Sequence, residues 1–139
     1  MADDCVFCRI ASGKIPAVKL FEDPIILSFL DINPAARGHA LVITKSHYKT
    51  LLDVPHEEMK ALMAAVQKVA AAIMTEMPGV EGFNVLQSNS EAAGQVIPHV
   101  HFHIIPRKKG DKLDFSWAPG QGEKSELEKY AELLKKKIR

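Results

Sequence analysis

No stretch of this 139-residue sequence approaches the roughly 20 consecutive apolar residues that a helix needs to cross a bilayer, so a helical membrane protein is excluded as the reading of the chain. Neither sign of charge is in excess: 18 Lys and Arg stand against 17 Asp and Glu, for a net charge of +1. No global field draws the chain to nucleic acid or to an anionic membrane, and any phosphate must be held by a local site. Cysteine is scarce too. Cys5 and Cys8 are the only two, too few and too close together for the disulfide framework of a small secreted domain. The run Met1-Ala2-Asp3-Asp4-Cys5 has no basic segment followed by an apolar one, so no secretory signal is expected and the protein reads as cytoplasmic. Internal repeats and low-complexity segments are missing as well. A single domain over residues 1–139 is expected, large enough to bury roughly two thirds of its extended-chain surface.

What is present falls into two periodicities. Cys8 to Ser12 reads as a short helical turn ended by Gly13. Val18 to Glu22 then extends, and Asp23-Pro24 marks a hairpin turn. Ile25 to Leu30 and His39 to Thr44 are rich in branched and aromatic residues and read as strands. From Pro55 to Met77 the apolar residues Met59, Leu62, Met63, Val66, Val69, Ala70, Ile73 and Met77 fall at helical spacing, with Glu57 and Glu58 in the first turn, and Pro78-Gly79 stops the helix. Phe83 to Gln87 is a strand, Ser88 to Pro98 a loop, and His99 to Ile105 a strand with Pro106 at its end.

Residues 109–139 read as a loop carrying Trp117 and a C-terminal helix. Ser125-Glu126-Leu127-Glu128 has the form of a capping box at its start. Leu127, Ala131, Leu134 and Ile138 line one face of this helix. Lys135, Lys136, Lys137 and Arg139 crowd its end, where they complement the dipole as a solvated basic terminus; no nucleic-acid partner is expected there. The predicted fold class is α+β, an antiparallel sheet of about five strands with the long helix packed on one face.

The chemistry concentrates in His99-Val100-His101-Phe102-His103. Alternation along a strand sends the three imidazoles to one side and Val100, Phe102 and Ile104 to the other. Clustered imidazoles oppose one another's protonation, so three of them demand a common partner. A transition metal accepts neutral imidazole; a phosphate needs donors and can be attacked by an unprotonated ring nitrogen. Just upstream, Gly94 lets the backbone approach a ligand, and Gln95 can orient a phosphate or leaving group.

These residues resemble the histidine triad (HIT) superfamily, whose signature alternates three histidines with apolar residues and continues into an apolar pair, as His99 to Ile105 does. The resemblance runs from Cys5-Val6-Phe7-Cys8 through Phe29-Leu30-Asp31-Ile32-Asn33-Pro34, Gly38-His39 and Lys45-Ser46-His47 to Gly94-Gln95 and Pro106-Arg107, and is closest to the zinc-carrying, Hint-like branch of bacteria and fungi. It implies a nucleotide hydrolase in which His101 attacks the α-phosphorus and forms a nucleotidyl-histidine that water cleaves. His103 and His39 would stabilise charge around phosphorus, and Gln95 would support the leaving group. Asp31 would hold the ribose hydroxyls, and Phe7, Phe29 and Ile32 the base. Gly94, Val96, and Ser88 or Asn89 would also line the substrate. Ser88 stands where close relatives carry asparagine, and Val96 where the animal branch carries a serine hydroxyl.

By itself Cys5-x-x-Cys8 fits a zinc knuckle, a redox pair or neither. The resemblance implies the remaining ligands, His47 and His99, and hence a structural Cys2His2 zinc ion. It also implies a homodimer joined through its sheets. His56, at a helix start, reads as solvated. The leading reading is a purine-nucleoside phosphoramidate hydrolase. The alternatives are a dinucleoside polyphosphate hydrolase or nucleotidyltransferase, and a non-catalytic nucleotide-binding regulator.

Overall fold

The computed structural model describes residues 4–138. Five strands, β1 (Lys19–Glu22), β2 (Ile26–Leu30), β3 (Ala40–Thr44), β4 (Gly82–Leu86) and β5 (His101–Arg107), form one sheet in the order β1-β2-β3-β5-β4, with every neighbouring pair antiparallel. Three α-helices accompany them: α1 (Val6–Ala11), α2 (His56–Glu76) and α3 (Lys124–Lys135). The β1–β2 hairpin closes where expected because the Asp23 carboxylate accepts bonds from the backbone N–H groups of Ile25 and Ile26, both at 2.7 Å.

Period-two alternation divides the sheet into two faces. Ile26, Ala40, Val42, Phe102 and Ile104 point to one, where the stripe Leu62, Val66, Val69 and Ile73 of α2 buries itself against them. Leu27, Phe29, Leu41 and Ile43 point to the other, where they meet Phe7, Cys8 and Ile10 of α1. Register then decides which residues join the histidines: β3 sets Leu41 opposite His103 and Ile43 opposite His101. The two imidazoles therefore share the α1 face, while Phe102 between them anchors the α2 face. α2 covers one side of the sheet and leaves the other to the chemistry.

Two expectations need correction. β5 begins at His101 and runs through Pro106 to Arg107, so His99 lies outside the sheet. Pro106 is tolerated because the β3 ladder ends at Ile104, leaving no β3 partner for the missing N–H. The backbone of residues 99–100 is instead held by the segment before α2, with the Val100 N–H donating to the Tyr48 carbonyl at 2.7 Å. The capping box at Ser125 does not form: α3 starts two residues earlier, after Glu123, and the Ser125 hydroxyl donates to the Glu123 carboxylate. The expected apolar face of α3, with Leu127, Leu134 and Ile138, is exposed, and no residue of α3 is buried. Arg139, expected at the end of that helix, lies outside the described residues.

Candidate functional site

His101 lines a cavity of about 360 Å3 between the α1 segment, the β2–β3 loop and the 94–97 loop. Its ring is oriented by one bond: Nδ1 lies 2.7 Å from the His99 carbonyl oxygen. A carbonyl only accepts, so Nδ1 carries the proton and Nε2 keeps its lone pair. Burial holds the His101 pKa below the ordinary value, against the opposing pull of the His99 carbonyl and the Asp31 charge. The ring is therefore neutral at pH 7, with a nucleophilic nitrogen. Phe7 packs edge-on against it, ring centroids 5.1 Å apart, and blocks rotation.

His103 lines the same cavity, and its tautomer is set from behind. The Ala35 N–H donates to His39 Nδ1 at 3.0 Å. Neutral His39 therefore carries its proton on Nε2, which donates to His103 Nδ1 at 2.9 Å. His103 is left with Nε2–H as a donor. Burial, reinforced by the neighbouring His101 and His39 rings, pushes the His103 pKa down to about 4. His39 is itself buried and its pKa is lowered by that burial, with Asp31 opposing. His39 does not line the cavity, so its place is that of a positioning residue behind His103 rather than a phosphate contact. Its aim depends on Gly38, at φ +87°, where an added Cβ would also come within 2.9 Å of Met77 Cε.

Asp31 reaches the cavity with one oxygen accepting from the Asn33 N–H at 2.8 Å and the other 3.6 Å from His39 Nε2. Phe7 and Phe29 pack edge to face at 5.7 Å and, with Ile10, Ile15 and Leu41, form the apolar wall. Ile32 and Val96 stand at the rim, 86% and 88% exposed. Bulky apolar side chains left this open beside a cavity are suited to covering a planar ligand.

Gln95, Ser88 and Asn89 do not line this cavity. Gln95 spans its own loop, accepting from the Ser90 N–H at 2.7 Å and donating to the Lys49 carbonyl at 2.7 Å and the Ile97 carbonyl at 3.2 Å. Asn89 accepts from the Leu51 N–H and exchanges bonds with Gln87, tying the loop to the turn before α2. Both amides are thus engaged in holding the loop that carries Gly94 and Val96.

Cys5, Cys8, His47 and His99 bring their ligand atoms within 4.8 Å of one another, so the cysteine pair meets two histidines that are distant from it in sequence. Cys5 Sγ lies 3.4 Å and Cys8 Sγ 3.6 Å from His99 Nδ1, and Cys8 Sγ lies 3.3 Å from His47 Nδ1. Tetrahedral zinc, with Zn–S near 2.3 Å and Zn–N near 2.0–2.1 Å, separates such ligand atoms by about 3.5 Å. The donor chemistry agrees: His99 Nε2 lies 2.7 Å from the Thr44 carbonyl and must carry the proton, which frees Nδ1 as a ligand. A second cluster, Asp31, His39 and His103, fails the same test. The N–H of Ala35 makes His39 Nδ1 an acceptor, so the Nε2 facing that cluster holds a proton instead of a lone pair.

Sequence reasoning missed Ala35 and Thr44, which act through backbone groups and carry no side-chain signal. It also missed Leu41, although alternation from His39 marks its face.

The HIT domain sequence profile matches residues 12–110. The chain is 46% identical over 118 residues to adenylylsulfatase HINT3 of Arabidopsis thaliana, covering 85% of this chain but 58% of that protein's length. It is 40% identical to adenosine 5′-monophosphoramidase hnt1 of Schizosaccharomyces pombe, covering 97% of this chain and 98% of that one. The crystal structure of a Zn-bound histidine triad family protein from Mycobacterium smegmatis superimposes with a TM-score of 0.76 at 38% identity, over 97% of this chain and 98% of that chain.

Proposed function

This chain belongs to the HIT domain family, and from that premise we propose that it hydrolyses purine-nucleoside 5′-phosphoramidates through a covalent intermediate on His101. The carrying observation is the bond from His101 Nδ1 to the His99 carbonyl, which leaves Nε2 unprotonated on a ring lining the cavity. The Nε2 lone pair forms an N–P bond as the P–N bond to the amine breaks. The amine departs with the bonding pair and takes up a proton through solvent. Water then attacks phosphorus, the His101–P bond breaks, and the proton released balances the one taken up. His103, held as an Nε2–H donor, stabilises the phosphoryl oxygens as charge develops. The base lies against Phe7, Phe29 and Ile32, and Asp31 accepts from the ribose hydroxyls.

A zinc ion held by Cys5, Cys8, His47 and His99 would act as a closed structural site, pinning α1 beside the His101 strand without an open coordination position. The relative that contains zinc and the ligand spacing support this. Such a set needs both thiols reduced, which suits a reducing compartment such as the cytoplasm. We also place a homodimer contact along β4, an edge strand whose Phe83, Val85 and Leu86 are 42%, 42% and 40% exposed.

The test is hydrolysis of a fluorogenic adenosine 5′-phosphoramidate by wild type and His101→Ala, with intact mass measured after acid-free quenching. Turnover and a nucleotidyl adduct, both absent in the variant, are expected. Zinc-loaded wild type that binds AMP yet neither turns over nor forms the adduct would shift the assignment to dinucleoside polyphosphates or to a binding role.

A further inference from the structure

The peptide unit between His99 and Val100 is bonded at both ends. Its carbonyl accepts from His101 Nδ1 at 2.7 Å, the bond that orients the nucleophile. Its N–H donates to the Tyr48 carbonyl, also at 2.7 Å. In a trans peptide these two groups point in opposite directions within one rigid plane, so turning that plane disturbs both bonds together. The donors also run one way, from the His101 ring through the amide to Tyr48. Donation by the amide N–H makes its carbonyl a stronger acceptor for the ring.

The sheet does not supply this support, because β5 begins at His101 and its ladder with β3 stops at the pair Ile43–His101. Tyr48 belongs to no helix or strand, and its carbonyl is only as well placed as the segment that carries it. The side chain of the same residue ties that segment down: the phenol hydroxyl donates to the Glu58 carboxylate at 2.5 Å. Glu58 lies in the first turn of α2, whose buried stripe of Leu62, Val66, Val69 and Ile73 is packed on the face of the sheet opposite His101. Lys49 adds a second tether, its carbonyl accepting from the Gln95 amide at 2.7 Å, but that one ends on the 88–98 loop and not on an element of the core. A continuous path therefore joins the most deeply packed helix to the nucleophile: Glu58, the Tyr48 phenol, the Tyr48 carbonyl, the 99–100 peptide and the His101 ring.

Resting on the hydrolase reading above, we propose that Tyr48 and Glu58 are positioning residues for the nucleophile. The bond between their side chains holds the Tyr48 carbonyl in place, and that carbonyl fixes the peptide plane from which the His101 ring takes its orientation. Neither side chain lines the catalytic cavity. Their effect falls on the approach of His101 Nε2 to phosphorus and not on nucleotide binding, so kcat carries it and KM does not.

Tyr48→Phe removes the hydroxyl and keeps the ring, and Glu58→Ala removes the acceptor. Glu58→Gln removes the charge but keeps an oxygen that accepts from the phenol. With adenosine 5′-phosphoramidate, Tyr48→Phe and Glu58→Ala are each expected to lose about tenfold in kcat with KM changed by less than about twofold. The double variant is expected to lose no more than either, and Glu58→Gln to stay near wild type. Long-range proton–nitrogen spectra of protein labelled at the histidine nitrogens read the ring directly, with the His101 signals identified by their absence from His101→Ala. They are expected to show a single Nδ1–H tautomer in wild type and a mixture in Tyr48→Phe. Zinc content, measured on the same samples because His47 adjoins Tyr48, is expected to be unchanged. An unaltered kcat in Tyr48→Phe, equal losses in Glu58→Gln and Glu58→Ala, a kcat loss that tracks lost zinc, or a single Nδ1–H tautomer in Tyr48→Phe overturns the assignment. If wild type does not turn the phosphoramidate over, the hydrolase reading fails instead, and the tautomer comparison alone decides whether Tyr48 positions the ring.

Discussion

At the scale of single residues, the site is governed by which ring nitrogen of each histidine carries a proton, and each answer comes from a backbone group. His101 is set by the His99 carbonyl, His99 by the Thr44 carbonyl, and His39 by the Ala35 N–H. His103 inherits its tautomer from His39. Removing that relay is expected to lower kcat far more than it raises KM. His39→Ala should lose about 10- to 100-fold in kcat, the order of losing a residue that orients a functional imidazole from behind. His39→Gln, whose amide can accept from Ala35 and donate to His103, should recover much of it. Equal damage in both variants, read from steady-state kinetics, would leave His39 with a packing role alone. The identities of these histidines were legible because three of them alternate along one strand. Their tautomers were not, because the partners that set His101, His99 and His39 are main-chain atoms, up to 55 positions away in sequence, and carry no side-chain identity.

At the scale of elements, α1 carries a six-residue helix, too short to be stable alone. It is held by packing Phe7 and Ile10 on the sheet and by the cysteine pair facing His47 and His99. His47→Ala is therefore expected to reduce bound zinc, measured by elemental analysis on protein purified without chelator, and to lower the melting temperature by several degrees. Wild-type zinc content in that variant would remove His47 from the set. Cys5 and Cys8 announced a clip of some kind, but the other half of it lies 39 to 94 positions away and no local spacing betrays it. The C-terminal helix shows the opposite failure. Its apolar stripe was read correctly from spacing, yet α3 buries none of it, since amphipathicity records a face and not the surface that covers it. Its start also moved, because Glu123 competes for the Ser125 hydroxyl that a capping box requires.

For the molecule as a whole, the exposed β4 edge and the cavity beside it, lined by Met63, Ala64 and Phe83, carry the dimer contact proposed above. Val85→Lys is expected to convert a dimer into a monomer by light scattering at micromolar concentration. A wild-type monomer under those conditions would remove the contact. Acid should weaken the fold as well. His103 is held near 4 in the folded chain against 6.5 for an unperturbed histidine, so the unfolded state binds the extra proton between these values. Stability contributed by the neutral ring is complete above about pH 6.5 and is lost as pH falls through about 4. Urea midpoints measured across that window should decline less steeply for His103→Gln than for wild type; parallel slopes would assign the acid sensitivity elsewhere.

What the chain determined by itself was the list of elements, the face each presents and the residue types needed for chemistry on phosphate. Those follow from periodicity, turn residues and side-chain chemistry, all of which act over a few positions. Only the tertiary structure decided where His99 leaves the sheet, and that Gln95 and Asn89 serve the loop rather than line the catalytic cavity. Both depend on groups brought together by the β3–β5 register and by the fold of the 88–98 loop. Contacts between segments dozens of residues apart leave no periodic trace in the order of the amino acids.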